Sequence, residues 1–181
     1  MILFIGNFLT KHGLNPTSIE DLAIVLSERY EVKTSSDKNS SLLRLLDMAK
    51  CVISNRMGCK LIIVDVFSPR ALVFSCLIIL LAKWFKIPYV PVLSGGNLPE
   101  RFKKHPIIFN FLFSEARRII SPSKYLQASS QHINSPITVI PNYIDVKKYS
   151  FKIRQEIKPN LLWVRAIHSI YNPLMAIHVL D

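Results

Sequence analysis

Short apolar runs alternate with segments of helical periodicity along this sequence, and that alternation limits the folds open to the chain. The clearest runs are Ile2–Ile5, Leu61–Val66 and Tyr89–Leu93. A continuous apolar run is typical of a strand buried on both faces, as in a parallel sheet. Because helical patterns lie between the runs, we predict βαβ units with right-handed crossovers. The expected fold class is α/β, with a parallel sheet flanked by helices.

Two of the helical segments carry clear sequence signals. Thr17 or Ser18 can cap a helix whose first turn contains Glu20 and Asp21, where the helix dipole favours acidic side chains. A second helix is predicted from residue 42 to residue 55. Its predicted apolar face consists of Leu42, Leu45, Leu46, Ala49 and Ile53.

The charge of the chain is strongly basic and unevenly distributed. The 181 residues carry a formal net charge of +11. Residues 1–100 contribute +3 and residues 101–181 contribute +8. Such an excess predicts an anionic partner, which can be a phosphate group, a membrane surface or a nucleic acid.

Cysteine and histidine patterns give no sign of a metal site. Cys51, Cys59 and Cys76 form no Cys-x-x-Cys pair, which fits a reducing compartment. The five histidines are scattered without metal-ligand spacing, and we predict no metal. His12 has the best functional case, since it lies in the loop after the first strand.

No targeting or membrane-spanning segment is predicted. The N-terminus lacks a basic stretch ahead of its apolar run. The longest apolar segment, Ala71–Ala82, is shorter than the roughly 20 residues that a spanning helix needs. We therefore expect a cytoplasmic protein, with a peripheral position at the inner face of a membrane as an open alternative.

Two strand ends carry candidate cleft residues. After the apolar run that ends at Leu93, the sequence continues Ser94-Gly95-Gly96-Asn97. Paired glycines after a strand indicate a sharp turn or the close approach of a ligand to the backbone, although Gly-Gly is also a common loop signal. Asp65, near the end of another strand, is either a general base facing a cleft or a cap for the next helix.

The segment 101–118 has two interpretations of equal weight. It interleaves four phenylalanines with five basic residues and His105. It can form a core helix with solvated ends. It can also form a basic, aromatic helix that lies on an anionic membrane.

Three further motifs follow in a fixed order, and the chain with them resembles a known family. They are Ile120-Ser-Pro-Ser123, then Val139-Ile-Pro-Asn142 with Asp145, and then Leu162-Trp-Val-Arg165 continuing to Tyr171-Asn172-Pro173. In this order and spacing the sequence resembles the family 4 glycosyltransferases of the GT-B fold. The resemblance covers nearly the whole chain.

The resemblance implies two Rossmann-like domains that face each other across a cleft. Residues 1–150 would form the acceptor-side domain, residues 151–160 a linker, and residues 161–181 the first strand and partial helix of a donor-binding domain. The implied activity is hexosyltransferase-like, with retention as the usual outcome. A sugar would pass from a nucleotide-sugar to a lipid-linked or glycan acceptor in cell-surface polysaccharide biosynthesis. The nucleotide-sugar is then a substrate, and no cofactor is implied.

The family pattern also implies roles for individual residues, although it identifies no catalytic residue. Asn142 and Asp145 would lie at the hinge between the domains, and Arg165 would contact the donor phosphate. Ser94 stands where the family often has histidine. The implied acceptor and cleft-lining residues are Gly13, Asn15, Ser94, Gly95, Gly96 and Asn97.

The family's donor-gripping glutamate pair would lie beyond Asp181, so we expect a truncated chain that is inactive or nearly so alone. The alternative is a catalytically inactive remnant or binding module with the same fold. A nucleic-acid-binding module ranks last, because the sequence has no recognisable recognition element.

Overall fold

A computed structural model describes residues 1–67, 71–143, 146–148, 150–153, 155, 162–164, 167 and 169–179. The chain divides into two units, Met1–Ile144 and Asp145–Asp181. The start predicted for the third helix, at Ser68-Pro69, lies outside the described residues.

In the described part of the first unit, six strands form one sheet in the order β2-β1-β3-β4-β5-β6. Every neighbouring pair is parallel. The predicted fold class is confirmed as a Rossmann-like α/β architecture with an all-parallel sheet flanked by helices. The strands are β1 (Ile2–Ile5), β2 (Val32–Ser35), β3 (Leu61–Val66), β4 (Tyr89–Leu93), β5 (Ile119–Ser121) and β6 (Ile137–Val139).

Helices cover both faces of this sheet. Side chains point to alternate faces along each strand, so β1 and β3 contribute residues to two separate hydrophobic cores. Leu3 and Ile62 belong to the larger core, and Phe4 and Ile63 to a smaller one that includes Ile19 of α1. The helices are α1 (Ser18–Ser27), α2 (Ser41–Asn55), α3 (Ala71–Trp84), α4 (Leu98–Lys104), α5 (Pro106–Phe113), α6 (Lys124–Ser129) and, in the second unit, α7 (Pro173–His178).

The start of α1 follows the prediction, with Thr17 as the N-cap and with Glu20 and Asp21 in the first turn. Glu20 is buried, and its carboxylate accepts a hydrogen bond from the Thr17 backbone N–H at 2.8 Å. It also accepts one from the Thr10 hydroxyl at 2.8 Å. Glu20 therefore caps the helix and ties it to the turn that follows β1.

The apolar face predicted for α2 is wrong. Leu42, Leu46 and Ile53 are exposed, whereas Met48 and Val52 are buried. The helix is apolar on more than one side, so two helical spacings compete in its sequence. Its contacts with α3 and β2 select the face that includes Met48 and Val52.

The segment 101–118 supplies core aromatic residues. Phe102 lies edge-on to Phe109 and Phe113, with ring centroids 4.7 Å and 5.8 Å away. All three are buried, and only Phe111 of the four is exposed. For three of the four phenylalanines, the core-helix interpretation therefore holds.

The second unit contains α7, which begins at Pro173 as the sequence predicts. Residues 162–164, predicted as part of a strand, are not in a strand. No helix within the described residues is long and apolar enough to cross a membrane.

We predict that Phe102→Ala lowers the free energy of unfolding by about 3–5 kcal/mol, because it leaves a cavity among packed rings. The measurement is urea unfolding followed by circular dichroism. Phe111→Ala is the matched control, and it should cost less than about 1 kcal/mol because its ring is already exposed. Equal costs for the two variants would contradict the assigned core.

Candidate functional site

The candidate site lies at the carboxyl edge of the sheet, between β1 and β3. The chain leaves β1 towards β2 on one side, while β3 pairs with β1 on the other. In open parallel sheets, ligands bind at such a reversal, outside the carboxyl ends of the strands. Gly6 and Asn7 follow β1, Asp65 lies near the end of β3, and Ser94 follows β4.

Asp65 is the chemically distinctive residue at this edge. Its side chain is buried, and its Oδ1 atom has no hydrogen-bond partner among the described residues. Burial raises the pKa of Asp65 to about 6, and a hydrogen bond with the Ser94 side chain partly offsets that shift. Near neutral pH the carboxylate is mostly ionised, and it retains an oxygen that can accept a hydrogen bond or a proton.

Gly6 allows β1 to approach Asp65 closely. A Cβ atom at position 6 would lie 3.0 Å from the Asp65 Cβ and 3.2 Å from Cγ2 of Ile19. No other residue type therefore fits between the strand end and α1 without displacing a neighbour.

A small cavity of about 10 Å³ adjoins Asp65. That volume is near the minimum that holds one water molecule. Its rim is fixed in part by the Ser75 hydroxyl, which donates to the Asp65 backbone oxygen at 2.7 Å. The cavity is lined by Ile5, Gly6, Asn7, Met48, Val64, Asp65, Ala71, Phe74 and Ser75.

Arg44, in the first turn of α2, holds the neighbouring loops together. Its guanidinium donates to Asn7 Oδ1 at 2.9 Å, to the Lys38 carbonyl at 2.8 Å and to the Asn39 carbonyl at 3.0 Å. The exit of β1 and the loop after β2 are thereby joined through one cation. Neither Arg44 nor Asn7 was predicted from the sequence as a site residue, although the position of Asn7 directly after Gly6 was an available signal.

His12 takes part in the same loop network. Its Nε2 atom lies 2.8 Å from the Asp37 carbonyl, and its Nδ1 atom lies 3.2 Å from the side-chain amide of Asn39. Both ring nitrogens thus have partners, which makes His12 a positioning residue in this structure.

The structure brings part of the predicted site to the edge of the sheet. The Ser94 N–H donates to the Val66 carbonyl at 3.0 Å, which fixes the loop after β4 beside the end of β3. Gly95 is buried there, and Gly96 and Asn97 are exposed. Gly13, not the Gly95-Gly96 pair, has the left-handed backbone, with a φ of 78°.

Other predicted residues are exposed or lie outside the described residues. Gly13 and Asn15 lie in the exposed part of the loop after β1, and Asn142 is exposed at the end of the first unit. Asp145 and Arg165 lie outside the described residues, so their predicted hinge and phosphate roles stay predictions.

Within the described ranges, no three histidine, cysteine or acidic side chains are grouped as metal ligands would be. Burial raises the pKa of each of the three thiols, Cys51, Cys59 and Cys76, above its usual value. Their reactivity as thiolates is therefore low.

No family model matches the chain, and no curated protein matches it.

We predict that Gly6→Ala destabilises the protein by about 1–3 kcal/mol, because the new methyl group forces Asp65 or Ile19 to move. Gly96→Ala is the control, since a Cβ atom added at position 96 would have no other atom within 4 Å. Thermal unfolding of both variants measures the difference. Equal destabilisation would contradict the close approach of β1 to Asp65.

Asp65 should also make stability depend on pH. Its pKa of about 6 lies above the ordinary 3.8, so the folded state binds more protons than the unfolded state between those values. The wild-type free energy of unfolding therefore falls as pH rises through that window. Asp65→Asn removes this dependence, and its stability relative to wild type should rise by about 2 kcal/mol from pH 4 to pH 7. Urea unfolding across that range measures the difference, and a pH-independent difference would contradict the shifted pKa.

Proposed function

We propose that the first unit is the acceptor-binding part of a glycosyltransferase that resembles family 4 of the GT-B enzymes. In the proposed reaction, the bond between the anomeric carbon and the donor phosphate breaks. A bond from that carbon to an acceptor hydroxyl oxygen forms with retention, and the hydroxyl proton passes to a base. The proposed acceptor is a lipid-linked or free glycan used in cell-surface polysaccharide synthesis.

The observation that carries this proposal is the unpartnered Oδ1 of Asp65 at the strand-order reversal. A buried acceptor atom without a hydrogen bond costs free energy, and a ligand that supplies a donor recovers that cost. Sugars present rows of hydroxyl donors, so a saccharide suits this atom. We assign Asp65 the role of binding and orienting an acceptor hydroxyl.

The loop after β4 supports the same assignment. Ser94 is hydrogen-bonded to the carboxylate of Asp65, and Gly96 and Asn97 next to it are exposed. An exposed glycine leaves the backbone open to a ligand, and the asparagine amide can both donate and accept. This combination fits a polyhydroxylated ligand that needs several hydrogen bonds at once.

The surrounding scaffold is suitable for positioning such a ligand. Asn7 is held by Arg44, and the Ser94 backbone is held by β3. Groups held in this way lose little further conformational entropy when a ligand binds, which favours binding. The donor nucleotide-sugar would bind opposite this edge, and the proposal assigns no described residue to it.

The test is saccharide binding followed through backbone amide resonances. Disaccharides, free and linked through diphosphate to a short polyprenyl chain, are titrated into the full chain. We expect shifts at Gly6, Asn7 and Ser94–Asn97. Asp65→Asn should weaken binding about 10- to 100-fold, because it removes a hydrogen bond to a charged group.

Glu28→Gln is the matched control, since Glu28 is an exposed acid at the opposite end of α1. The Glu28→Gln variant should bind the saccharides with the same affinity as wild type. A DNA duplex titrated at the same salt concentration tests the nucleic-acid alternative. The proposal would be contradicted if saccharide shifted only amide resonances in other parts of the sheet. DNA binding without saccharide binding would also contradict it.

A further inference from the structure

A continuous apolar surface runs along the outside of α3. Val73, Leu77, Leu80 and Trp84 follow one another at helical spacing, so they share one face of the helix. Trp84 is 82% exposed and Val73 is 64% exposed. No charged residue occurs in α3 before Lys83.

Helix α5 extends this surface. Ile107, Ile108 and Phe111 are exposed, with Ile107 at 84%. The Lys83 ammonium donates to the Phe111 carbonyl at 2.8 Å and lies 4.2 Å from the centre of the Phe111 ring. The Trp84 end of α3 therefore lies beside the outer side of α5, and we refer to these seven apolar residues as the α3–α5 face.

The residues that border the α3–α5 face are mainly basic. Lys86 follows α3, and Lys103 and Lys104 immediately precede α5 across His105; all three are exposed. Of the nearby acids, Glu115 is paired with Lys83 at 2.9 Å, which leaves Glu100 as the exposed acid of α4. The face thus combines an apolar centre with a cationic border.

The charge decides which partner fits this surface best. A second copy of the chain would bring two identical cationic borders together on molecules that each carry +11, and like charges in contact are repulsive. An anionic bilayer presents opposite charge to the border and apolar chains to the centre. Trp84 suits the boundary between these regions, because its indole is apolar with one polar N–H.

We propose that the α3–α5 face docks the protein on an anionic lipid bilayer. Trp84, Ile107 and Phe111 enter the boundary between head groups and acyl chains, and Lys86, Lys103 and Lys104 contact lipid phosphates. This surface differs from the basic, aromatic helix considered for 101–118, because most of those aromatic rings are in the core and α3 supplies much of the apolar contact. The proposal does not depend on glycosyl transfer, since vesicle binding is measured without any sugar.

The test is flotation of the full chain with two kinds of vesicle. One consists of phosphatidylcholine alone, and the other also contains phosphatidylglycerol. We expect binding to the anionic vesicles that weakens as salt increases. The double variant Trp84→Ser/Ile107→Ser should bind at least roughly tenfold more weakly, because it removes two apolar anchors. Lys103→Gln/Lys104→Gln should weaken binding roughly fivefold for each cation removed.

Two controls change exposed residues next to the end of α1, a helix that packs on the other face of the sheet. Tyr30→Ser matches the loss of an exposed aromatic residue, and Arg29→Gln matches the loss of an exposed cation. Both should bind like wild type, and circular dichroism checks that every variant is folded. The proposal would be overturned if all variants bound vesicles equally, or if the protein bound neutral and anionic vesicles equally. It would also be overturned if the protein bound no vesicles and instead formed a dimer that Trp84→Ser/Ile107→Ser dissociates.

Discussion

The parallel pairing of β1 with β3 is the interaction on which the rest of the first unit depends. Ile5, the last residue of β1, lies beside Val64, so β3 continues two residues past the end of β1 and places Asp65 next to its exit. The pairing also brings the backbone at Gly6 against Asp65, at a distance that leaves no room for a side chain. One close approach therefore brings together the end of β1, Ile19 of α1 and the buried carboxylate.

Much of the architecture could be predicted because strands buried on both faces leave a simple signal. Ile2–Ile5, Leu61–Val66 and Tyr89–Leu93 have the bounds that their apolar runs indicate. The α2 face could not be predicted, since a helix that is apolar on several sides fits more than one orientation. Phe102 and Phe111 show the same limit: both occur in a basic segment, and only tertiary packing buries one and exposes the other.

The candidate site was accessible from the sequence only where a residue lies at a strand end. Asp65 and Ser94 could be named because parallel strands expose their carboxyl ends at one edge. Arg44 could not, because its role comes from contacts with Asn7 and with two carbonyls in the loop after β2. Such contacts depend on how α2 is placed over the sheet, and local sequence patterns do not encode that placement.

The capping of α1 also constrains the loop that follows β1. Glu20 accepts hydrogen bonds from Thr10 and Thr17, which lie on either side of the segment that contains Gly13 and Asn15. The two ends of that segment are therefore clamped together, as at the neck of an Ω-shaped loop. The loop that contains Gly13 and Asn15 therefore has a fixed base, and any rearrangement within it is confined to its exposed tip.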